Sequence, residues 1–353
     1  MKNPIFNKLI KLKLIKNQNI IFSYIKGYSK KHPYFCVIIL HEYFRNLFPH
    51  DPHIKFKITN PKKRINDLQI NLIKILKNFE SIGFYKNDFK NSNSKEELKK
   101  KTGKVYGRFW KRFSNKENIN AKNFILERFR NFKSFNNNFF ENKNIIDVGC
   151  GGGRYSNALR LLKAKQVTGV DYSDDGIFTA KKNYKFKNIS FKKQNVLKLK
   201  FKKNTFDIVF CNGVLHHTND FKKGIKELHR ICKPGGYIYL YLYGTGGLYW
   251  SARRQMNKLM KLIPQEYSQQ VLDLIGMPTN RFIFMDNWYV PYERHCSHKE
   301  VYKILQSLGV EFIEKMKTGR KTDLETGLFN FKNSKIIWGE GEIRLLIKKS
   351  KNI

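Results

Sequence analysis

The chain has few acidic residues, no paired cysteines and no long apolar run, and each shortage excludes a class of protein. Its 353 residues include 28 acidic and 69 basic ones, which gives a formal net charge of +41. Five cysteines lie far apart without any C-x-x-C pair, so neither a disulfide framework nor a zinc site is predicted. The apolar stretch at 34–40 is too short to span a bilayer. Residues 1–16 lack the small-residue cleavage site of a signal peptide. We therefore expect a cytoplasmic protein without a metal site.

The positive charge alone is typical of nucleic-acid-binding proteins. The lysines are scattered, however, and their longest run is only 99–101. The chain is also rich in Asn, Ile, Phe and Tyr, as AT-rich coding sequences produce, so we interpret the charge mainly as composition. A diffuse positive surface still favours anionic partners such as lipid headgroups, nucleotide-sugars or RNA, with an effect that weakens as salt rises.

A glycine-rich stretch at 144–156 is the most informative part of the sequence. A short apolar run leads to Asp147, and three glycines follow at alternate positions: Gly149, Gly151 and Gly153. The next residues have the apolar spacing of a helix. Glycine tolerates positive φ and lets a ligand approach bare backbone, where free amide groups at the helix start can meet it. The pattern predicts a strand–loop–helix unit that binds an adenosine-type cofactor.

The spacing of these glycines distinguishes between cofactors. The dinucleotide fingerprint G-x-G-x-x-G would require a third glycine at position 154, which holds Arg154. A second short strand, 166–170, ends at Asp171, 18 residues after Gly153. A carboxylate at the tip of this strand can hold a ribose diol through two hydrogen bonds. Together these features resemble motif I and the following acid of class I S-adenosylmethionine-dependent methyltransferases.

Later segments extend the resemblance in the expected order. Residues 189–191 and 205–211 are interpreted as the third and fourth strands, and 228–242 as a helix, a Lys-Pro-Gly-Gly turn and the fifth strand. Residues 341–347 are a plausible closing strand. The resemblance is to a broad subgroup that includes ubiquinone and menaquinone biosynthesis methyltransferases and many glycan-modifying enzymes, and it implies an α/β Rossmann-like fold. Its seven-stranded sheet would be mainly parallel, with the last strand antiparallel and helices on both faces.

The resemblance also implies a set of cofactor contacts. S-Adenosylmethionine is the expected methyl donor. The residues that match the family's binding positions are Asp147, Gly149, Cys150, Gly151, Gly153, Asp171, Tyr172, Asn195, Val196, Cys211 and Asn212. Asn195 stands where the family usually has an acid that accepts from the adenine amino group. Its amide carbonyl can accept the same bond, but an ordinary loop asparagine remains the alternative.

The regions outside these motifs are less specific. Residues 1–100 are interpreted as a basic, mainly helical extension and linker, with an amphipathic helix at 65–79. The apolar residues of the extension's first helix-like part, Phe6, Leu9, Ile10 and Leu14, suit either peripheral membrane contact or, as we favour, a helix packed on the catalytic domain or a disordered tail. Residues 101–353 would form the methyltransferase domain. Within it the aromatic segment 106–113 would either cover the cofactor or anchor a helix.

An insertion at 244–297 is placed to cover the acceptor, because ligands of this fold class sit at the carboxyl ends of the strands. We predict a helix at 248–262 with a basic side formed by Arg253, Arg254, Lys258 and Lys261. The insertion ends in 286–298, and the resemblance associates its Asp286, Tyr289, Pro291 and His295 with acceptor binding.

Methyl transfer to a hydroxyl requires alignment of the acceptor and removal of its proton. Histidine is the natural base near neutral pH. The leading candidates are His217, after the fourth strand, and His295, on the insertion; His216 and His298 are secondary. Each could equally be a structural histidine or a helix cap. No carboxylate–histidine cluster in the core motifs indicates a metal.

We therefore expect a methyltransferase acting on a small-molecule, lipid-linked or glycan-linked hydroxyl. An RNA-modifying methyltransferase is an alternative, although residues 211–214 lack the Asn/Asp-Pro-Pro-Tyr/Phe signature of amino-methylating enzymes and no Pro-Cys nucleophile is present. A non-catalytic scaffold that binds the cofactor is another alternative, because fold does not fix function.

Overall fold

The computed structural model describes residues 4–48, 60–81, 115–274, 287–290, 292–321 and 323–352. It divides into two compact units. The sheet unit comprises Glu96–Gly244, Pro291–Arg320 and Glu342–Ile353, and the helical unit comprises Met1–Lys95, Thr245–Val290 and Lys321–Gly341. The helical unit thus takes its residues from three separate stretches of chain. The division at residue 100 and the insertion at 244–297 stay predictions.

The sheet unit is built on seven strands in the order β3-β2-β1-β4-β5-β7-β6. Their bounds are β1 Asn144–Val148, β2 Gln166–Asp171, β3 Ile189–Lys193, β4 Phe206–Asn212, β5 Cys232–Tyr243, β6 Val310–Lys315 and β7 Glu342–Lys349. β7 runs antiparallel to both of its neighbours, whereas the other pairs are parallel. The predicted Rossmann-like sheet with an antiparallel closing strand is confirmed.

The helices of both units follow in chain order. Their bounds are α1 Pro4–Tyr28, α2 Pro33–Arg45, α3 Pro61–Ser81, α4 Asn115–Phe129, α5 Arg154–Leu161, α6 Asp174–Asn183, α7 Phe221–Ile231, α8 Gly247–Met260, α9 Gln265–Leu274, α10 His298–Gln306, α11 Leu324–Asn330 and α12 Lys335–Trp338. None of the helices that the structure describes has the length and apolar character needed to cross a bilayer.

Two apolar clusters cover opposite faces of the sheet. Because side chains alternate along a strand, neighbouring residues enter different clusters. Ile145 and Phe210 belong to one cluster, with Phe129 of α4, whereas Ile146 and Val209 belong to the other. Burial on both faces explains why β1 and β4 are continuous apolar runs in the sequence. The clusters fix the strand ends at which the candidate site is assembled.

A buried polar network joins four helices of the helical unit. The Tyr43 hydroxyl donates to Gln18 Oε1 at 3.1 Å and accepts from Gln69 Nε2 at 2.9 Å. Gln69 Nε2 also donates to the Leu14 carbonyl at 2.9 Å, and Gln18 Nε2 donates to Ser251 Oγ at 3.1 Å. The network links α1, α2, α3 and α8, whose remaining buried contacts are largely apolar.

The helical unit also corrects one prediction. The helix predicted at 248–262 is present as α8, with Arg254 and Lys258 exposed on it and Lys261 exposed directly after it. Arg253 is only 2 % exposed, so its assignment to the basic side is wrong. Helical periodicity puts it three residues after Trp250, on the inward face. Leu14 of α1 is likewise buried, so it forms no part of an exposed apolar face. The side chains of Phe6 and Leu9 lie outside the described residues.

Candidate active site

The turn from β1 into α5 is made of backbone that favours glycine. Gly149, Gly151 and Gly153 have φ of 78°, 52° and 83°. The amides of Gly149 and Cys150 donate to the Val170 carbonyl at 2.7 and 3.0 Å, which ties the turn to β2. A Cβ on Gly149 would lie 2.1 Å from Val214 Cγ2. The predicted glycine turn therefore has a direct steric cause at its first position.

Gly153 stands immediately before α5 and allows that helix to pack closely. A Cβ there would approach Ala180 Cβ and Phe191 Cε1 to 2.9 Å each. Its left-handed conformation lets the first turn of α5 begin directly after the loop. The amides at this helix start carry the partial positive charge that favours polar or anionic ligand groups.

Asp147 lies at the end of β1 and is 2 % exposed. Its Oδ2 accepts a hydrogen bond from Ser156 Oγ at 2.6 Å. Burial raises the pKa of Asp147 to about 7; the Ser156 hydrogen bond opposes this increase, and the charge of Asp171 adds to it. This buried hydrogen bond thus links the end of β1 to α5. A direct contact between Asp147 and the cofactor stays a prediction.

Asp171 at the tip of β2 faces the glycine turn. Its Oδ2 accepts from the Gly151 amide at 2.9 Å, and its Oδ1 accepts from the Ser173 amide at 2.8 Å. Burial raises the pKa of Asp171, while these backbone hydrogen bonds lower it. A carboxylate offers about four lone-pair sites, so it can accept from a ribose diol in addition. Tyr172 follows it and is 70 % exposed.

These features fit an adenosine-type cofactor. The turn provides bare backbone, Asp171 provides a half-buried carboxylate, and the exposed Tyr172 ring provides a flat apolar surface next to it. Asn195 is exposed, and its Oδ1 accepts from the Leu197 amide at 2.9 Å. That oxygen keeps a second lone pair for an adenine amino group. Val196 beside it is half-buried.

The remaining predicted contacts are less direct. Cys150 and Cys211 are buried, and burial raises the pKa of each thiol. Their side chains are therefore small apolar groups, and a contact with the cofactor would have to use their backbone atoms. Asn212 ends β4, where its Oδ1 accepts from the Tyr239 hydroxyl at 3.4 Å.

A short 3₁₀ turn, Leu215–His217, follows β4 and carries two imidazoles. It begins directly after Val214, the residue packed on Gly149. His216 is buried, its ring stacks on Tyr243 with centroids 3.5 Å apart, and its Nδ1 accepts from the Tyr243 amide at 3.2 Å. This bond leaves the ring proton on Nε2, so neutral His216 is a poor proton acceptor. His216 supports the turn through these contacts, and a catalytic role for it stays a prediction.

His217 presents the opposite tautomer. Its Nδ1 lies 3.0 Å from the Tyr292 carbonyl, to which it can only donate. The Nε2 atom of neutral His217 therefore carries a lone pair. His217 is half-buried and follows β4, and its role as a general base stays a prediction.

The segment 292–297 holds His295. The side chains of His295 and Glu293 are 6 % and 7 % exposed, and His295 Nε2 lies 3.0 Å from Glu293 Oε1. The His295 ring is 6.2 Å from that of Tyr243, so His216, His217 and His295 surround one tyrosine. His298 is the first residue of α10, edge-on to Tyr302 at 6.0 Å, and the cap of this helix is Ser297. The structure thus groups three of the four predicted histidines around Tyr243.

Sequence reasoning missed several residues at the carboxyl end of β5. Tyr241 and Tyr243 end β5, and the antiparallel register sets them opposite Arg344 and Glu342 of β7. The Tyr241 hydroxyl donates to Glu342 Oε1 at 2.5 Å, while Arg344 pairs with Glu342 and lies 4.5 Å from the Tyr241 ring centroid. Burial and the charge of Glu342 raise the pKa of Tyr241. The available signal was the acid at the start of the closing strand.

Some predictions fall outside the described residues. These are the aromatic segment 106–113 and the insertion residues Asp286 and Pro291. Tyr289 is described; it belongs to the helical unit, where its hydroxyl lies 2.7 Å from Ser268 Oγ and donates to the Ile263 carbonyl at 3.2 Å. Across the residues that the structure describes, no group of three or more His, Cys, Asp or Glu side chains is arranged to hold a metal ion.

Comparisons with known proteins agree with this geometry. A family model described as a methyltransferase domain matches residues 146–240, from β1 to β5. The malonyl-[acyl-carrier protein] O-methyltransferase of Buchnera aphidicola subsp. Baizongia pistaciae (strain Bp) is 30% identical over 221 residues, which cover 61% of this chain and 83% of that protein.

Two other relatives match shorter stretches. The tRNA U34 carboxymethyltransferase of Campylobacter curvus (strain 525.92) is 30% identical over 151 residues, 41% of this chain and 49% of that protein. This chain therefore spans about half the length of that relative. The ubiquinone biosynthesis O-methyltransferase of Coxiella burnetii (strain Dugway 5J108-111) is 38% identical over 99 residues, 28% of this chain and 42% of that protein. The three names differ in acceptor. With the glycine turn, the sheet order and these matches, the chain belongs to the class I S-adenosylmethionine-dependent methyltransferases.

Proposed function

We propose that this protein transfers the methyl group of S-adenosylmethionine to a hydroxyl oxygen of a small-molecule, lipid-linked or glycan-linked acceptor. The observation that carries the proposal is the pair of imidazoles, His217 and His295, held by hydrogen bonds at the carboxyl ends of β4 and β5. Two of the relatives are named as O-methyltransferases, which supports oxygen as the acceptor atom.

Each group of residues has a separate role in the proposed reaction. Bound S-adenosylmethionine supplies an electrophilic methyl group on a sulfonium. The glycine turn and Asp171 bind and orient its nucleoside, and the residues after β4 border its methionine end. A histidine near the acceptor takes the hydroxyl proton, through Nε2 of His217 or Nδ1 of His295, as oxygen attacks the methyl group. Tyr243 and His216 are buried beside these histidines.

The cofactor site is tested first by calorimetry. Replacing Asp171 with Ala should weaken S-adenosylmethionine binding by about 10- to 100-fold, because two ribose hydrogen bonds to a charged group are lost. Asp174→Ala is the matched control: this neighbouring carboxylate is 81 % exposed and pairs with Lys193. Equal affinities of wild type and Asp171→Ala would contradict the ribose contact. An absence of binding to the wild type would contradict the proposal as a whole.

The acceptor is tested by incubating the protein with radiolabelled S-adenosylmethionine and separate acceptor pools. We expect label in alkali-stable ethers of small hydroxyl compounds, quinone precursors or glycans. Transfer to none of these pools, while the cofactor binds normally, would favour a cofactor-binding scaffold.

RNA is the second candidate acceptor. One of the relatives is named for a reaction on tRNA, and two helices of the helical unit carry the positive charge that a polyanion would bind. The sequences of α1 and α8 contain no acidic residue, and their exposed side chains include Lys16, Lys26, Arg254 and Lys258. Such a surface would attract phosphates in a salt-dependent way. Label transferred to total tRNA instead of the hydroxyl pools would select this candidate.

A further inference from the structure

The segment 292–297 is held by a regular pattern of backbone hydrogen bonds. The Arg294 amide donates to the His216 carbonyl at 2.7 Å, and the Cys296 amide donates to the Tyr243 carbonyl at 3.2 Å. The Tyr292 carbonyl accepts from His217. The bonded residues are thus 292, 294 and 296. The segment is fixed to the turn after β4 and to the end of β5.

This alternation sorts the side chains into two sets. Residues 293 and 295 form one set, and residue 294 belongs to the other. Glu293 and His295 indeed contact each other at 3.0 Å. Arg294 turns away to Glu300 at 2.7 Å and lies 4.3 Å from the Phe221 ring centroid. The sequence order Glu-Arg-His therefore builds a carboxylate–imidazole pair and excludes the intervening guanidinium from it.

The Glu293–His295 pair lies in a water-poor position, since both side chains are less than one-tenth exposed. A carboxylate there can only accept, so the 3.0 Å contact requires a proton on His295 Nε2. The neutral ring then carries its lone pair on Nδ1. Of the two leading candidate bases, His217 has its tautomer fixed by a backbone carbonyl, whereas His295 has its tautomer fixed by a side chain that is charged when ionised.

We infer that Glu293 is a positioning residue that fixes the tautomer of His295, and that His295 Nδ1 is the base of the reaction. The inference rests on the proposed hydroxyl acceptor. In the step, the bond from the acceptor oxygen to the methyl carbon forms as the sulfur–methyl bond breaks, and the hydroxyl proton moves to His295 Nδ1. The resulting imidazolium is stabilised by the Glu293 carboxylate and afterwards loses its proton to water. The products are the methyl ether and S-adenosylhomocysteine.

The tautomer is measured directly by nitrogen-15 NMR of His295 in the full-length protein, assigned by comparison with His295→Gln. The expected spectrum has a protonated Nε2 and an unprotonated Nδ1. In Glu293→Gln, whose amide can donate as well as accept, this preference should be reduced or reversed. Glu300→Gln is the matched control, because Glu300 pairs with Arg294 on the opposite side of the same segment. An Nδ1-protonated ring in the wild type, or an unchanged tautomer in Glu293→Gln, would overturn the inference.

Catalysis gives the second readout. With catechol as a small hydroxyl probe, kcat should fall about 100-fold in Glu293→Gln, while the affinity for S-adenosylmethionine stays within twofold of wild type. Restoration of the rate by added imidazole in His295→Gly would support His295 as the base. Normal kcat in Glu293→Gln would overturn the positioning role. A wild type that binds no cofactor would refute the proposed function, yet the NMR result on Glu293 would stand independently.

Discussion

The sheet unit and the helical unit are specified by their sequences in different ways. In the sheet unit, the residues that form the cofactor turn are nearly consecutive, and each has a backbone reason: Gly149 avoids Val214, and Gly153 starts α5. In the helical unit, three distant stretches are joined by the Gln18–Ser251 hydrogen bond and by a close backbone crossing at Gly339. Local backbone demands leave a pattern that can be recognised in one sequence, whereas partners between distant stretches do not.

The strongest test of this comparison is Gly339→Ala in the helical unit. Gly339 has φ 58° and ψ −124°, a region that only glycine adopts readily. A Cβ there would lie 2.2 Å from the Thr245 carbonyl oxygen and 2.4 Å from the Gly246 carbonyl carbon. Backbone atoms cannot move aside as a side-chain tip can, so we expect a loss of about 4–5 kcal/mol in unfolding free energy. Urea denaturation followed by circular dichroism measures it.

Gly235→Ala is the control for that experiment. Gly235 also has a positive φ, 72°, but a Cβ there would meet only the flexible Lys351 side chain, at 3.3 Å. We expect a cost of about 1 kcal/mol. Similar costs at both positions would mean that the backbone crossing at Gly339 is not a constraint.

Gly149→Ala tests the sheet unit with the next largest effect. The new Cβ would lie 2.1 Å from Val214 Cγ2, and Val214 is β-branched and stiff. We expect a loss of about 3 kcal/mol in stability and about 100-fold in S-adenosylmethionine affinity. Adding Val214→Ala should restore part of the stability, because the clash is removed while the positive φ remains. No recovery in the double variant would show that Val214 is not the obstacle. Calorimetry and urea denaturation provide both numbers.

Asp147→Asn tests the sheet unit through the pH dependence of its stability. The folded-state pKa of Asp147 is raised to about 7, so the folded protein keeps a proton that the unfolded chain releases. Its contribution to stability is therefore complete below about pH 4 and is lost as the pH rises to about 7. Asn keeps an oxygen for Ser156 but does not ionise. Between pH 4.5 and 7.5 the stability difference should shift by about 3 kcal/mol in favour of the variant. A pH-independent difference would contradict a buried, proton-binding Asp147.

The strands that are buried on both faces of the sheet could be predicted from the sequence. β1, β4, β5 and β7 each contain a buried apolar run, and all were expected from the sequence. No strand was assigned at β6, because this edge strand is only half-buried and has no clear alternation. The helix at α8 was expected, but the position of Arg253 was not. A cationic residue is normally assigned to the surface, and only the packing of the helix shows that it is inside.

The candidate site was predictable at its cofactor end and incompletely so at its acceptor end. The turn glycines and Asp171 adjoin strand ends within one β–α–β unit, so their spacing reveals them. Tyr243 is placed at the site by its stacking on His216 and its pairing with β7. Glu293 is placed there by the backbone hydrogen bonds of segment 292–297. Contacts of this kind depend on register between distant segments, which residue spacing does not contain.

The smallest expected effect concerns the polar network of the helical unit. Tyr43→Phe removes a hydroxyl that donates to Gln18 and accepts from Gln69. Gln69 Nε2 keeps the Leu14 carbonyl as an acceptor, so the cost should be about 1–2 kcal/mol rather than that of a fully orphaned group. The control is Tyr24→Phe, whose hydroxyl donates to Glu80 at the surface at 3.0 Å, with an expected cost below about 0.5 kcal/mol. Cofactor affinity should be unchanged in both. Equal costs in urea denaturation would mean that apolar packing alone holds α1, α2 and α3 together, and the contrast with the sheet unit would then reduce to the glycine crossing.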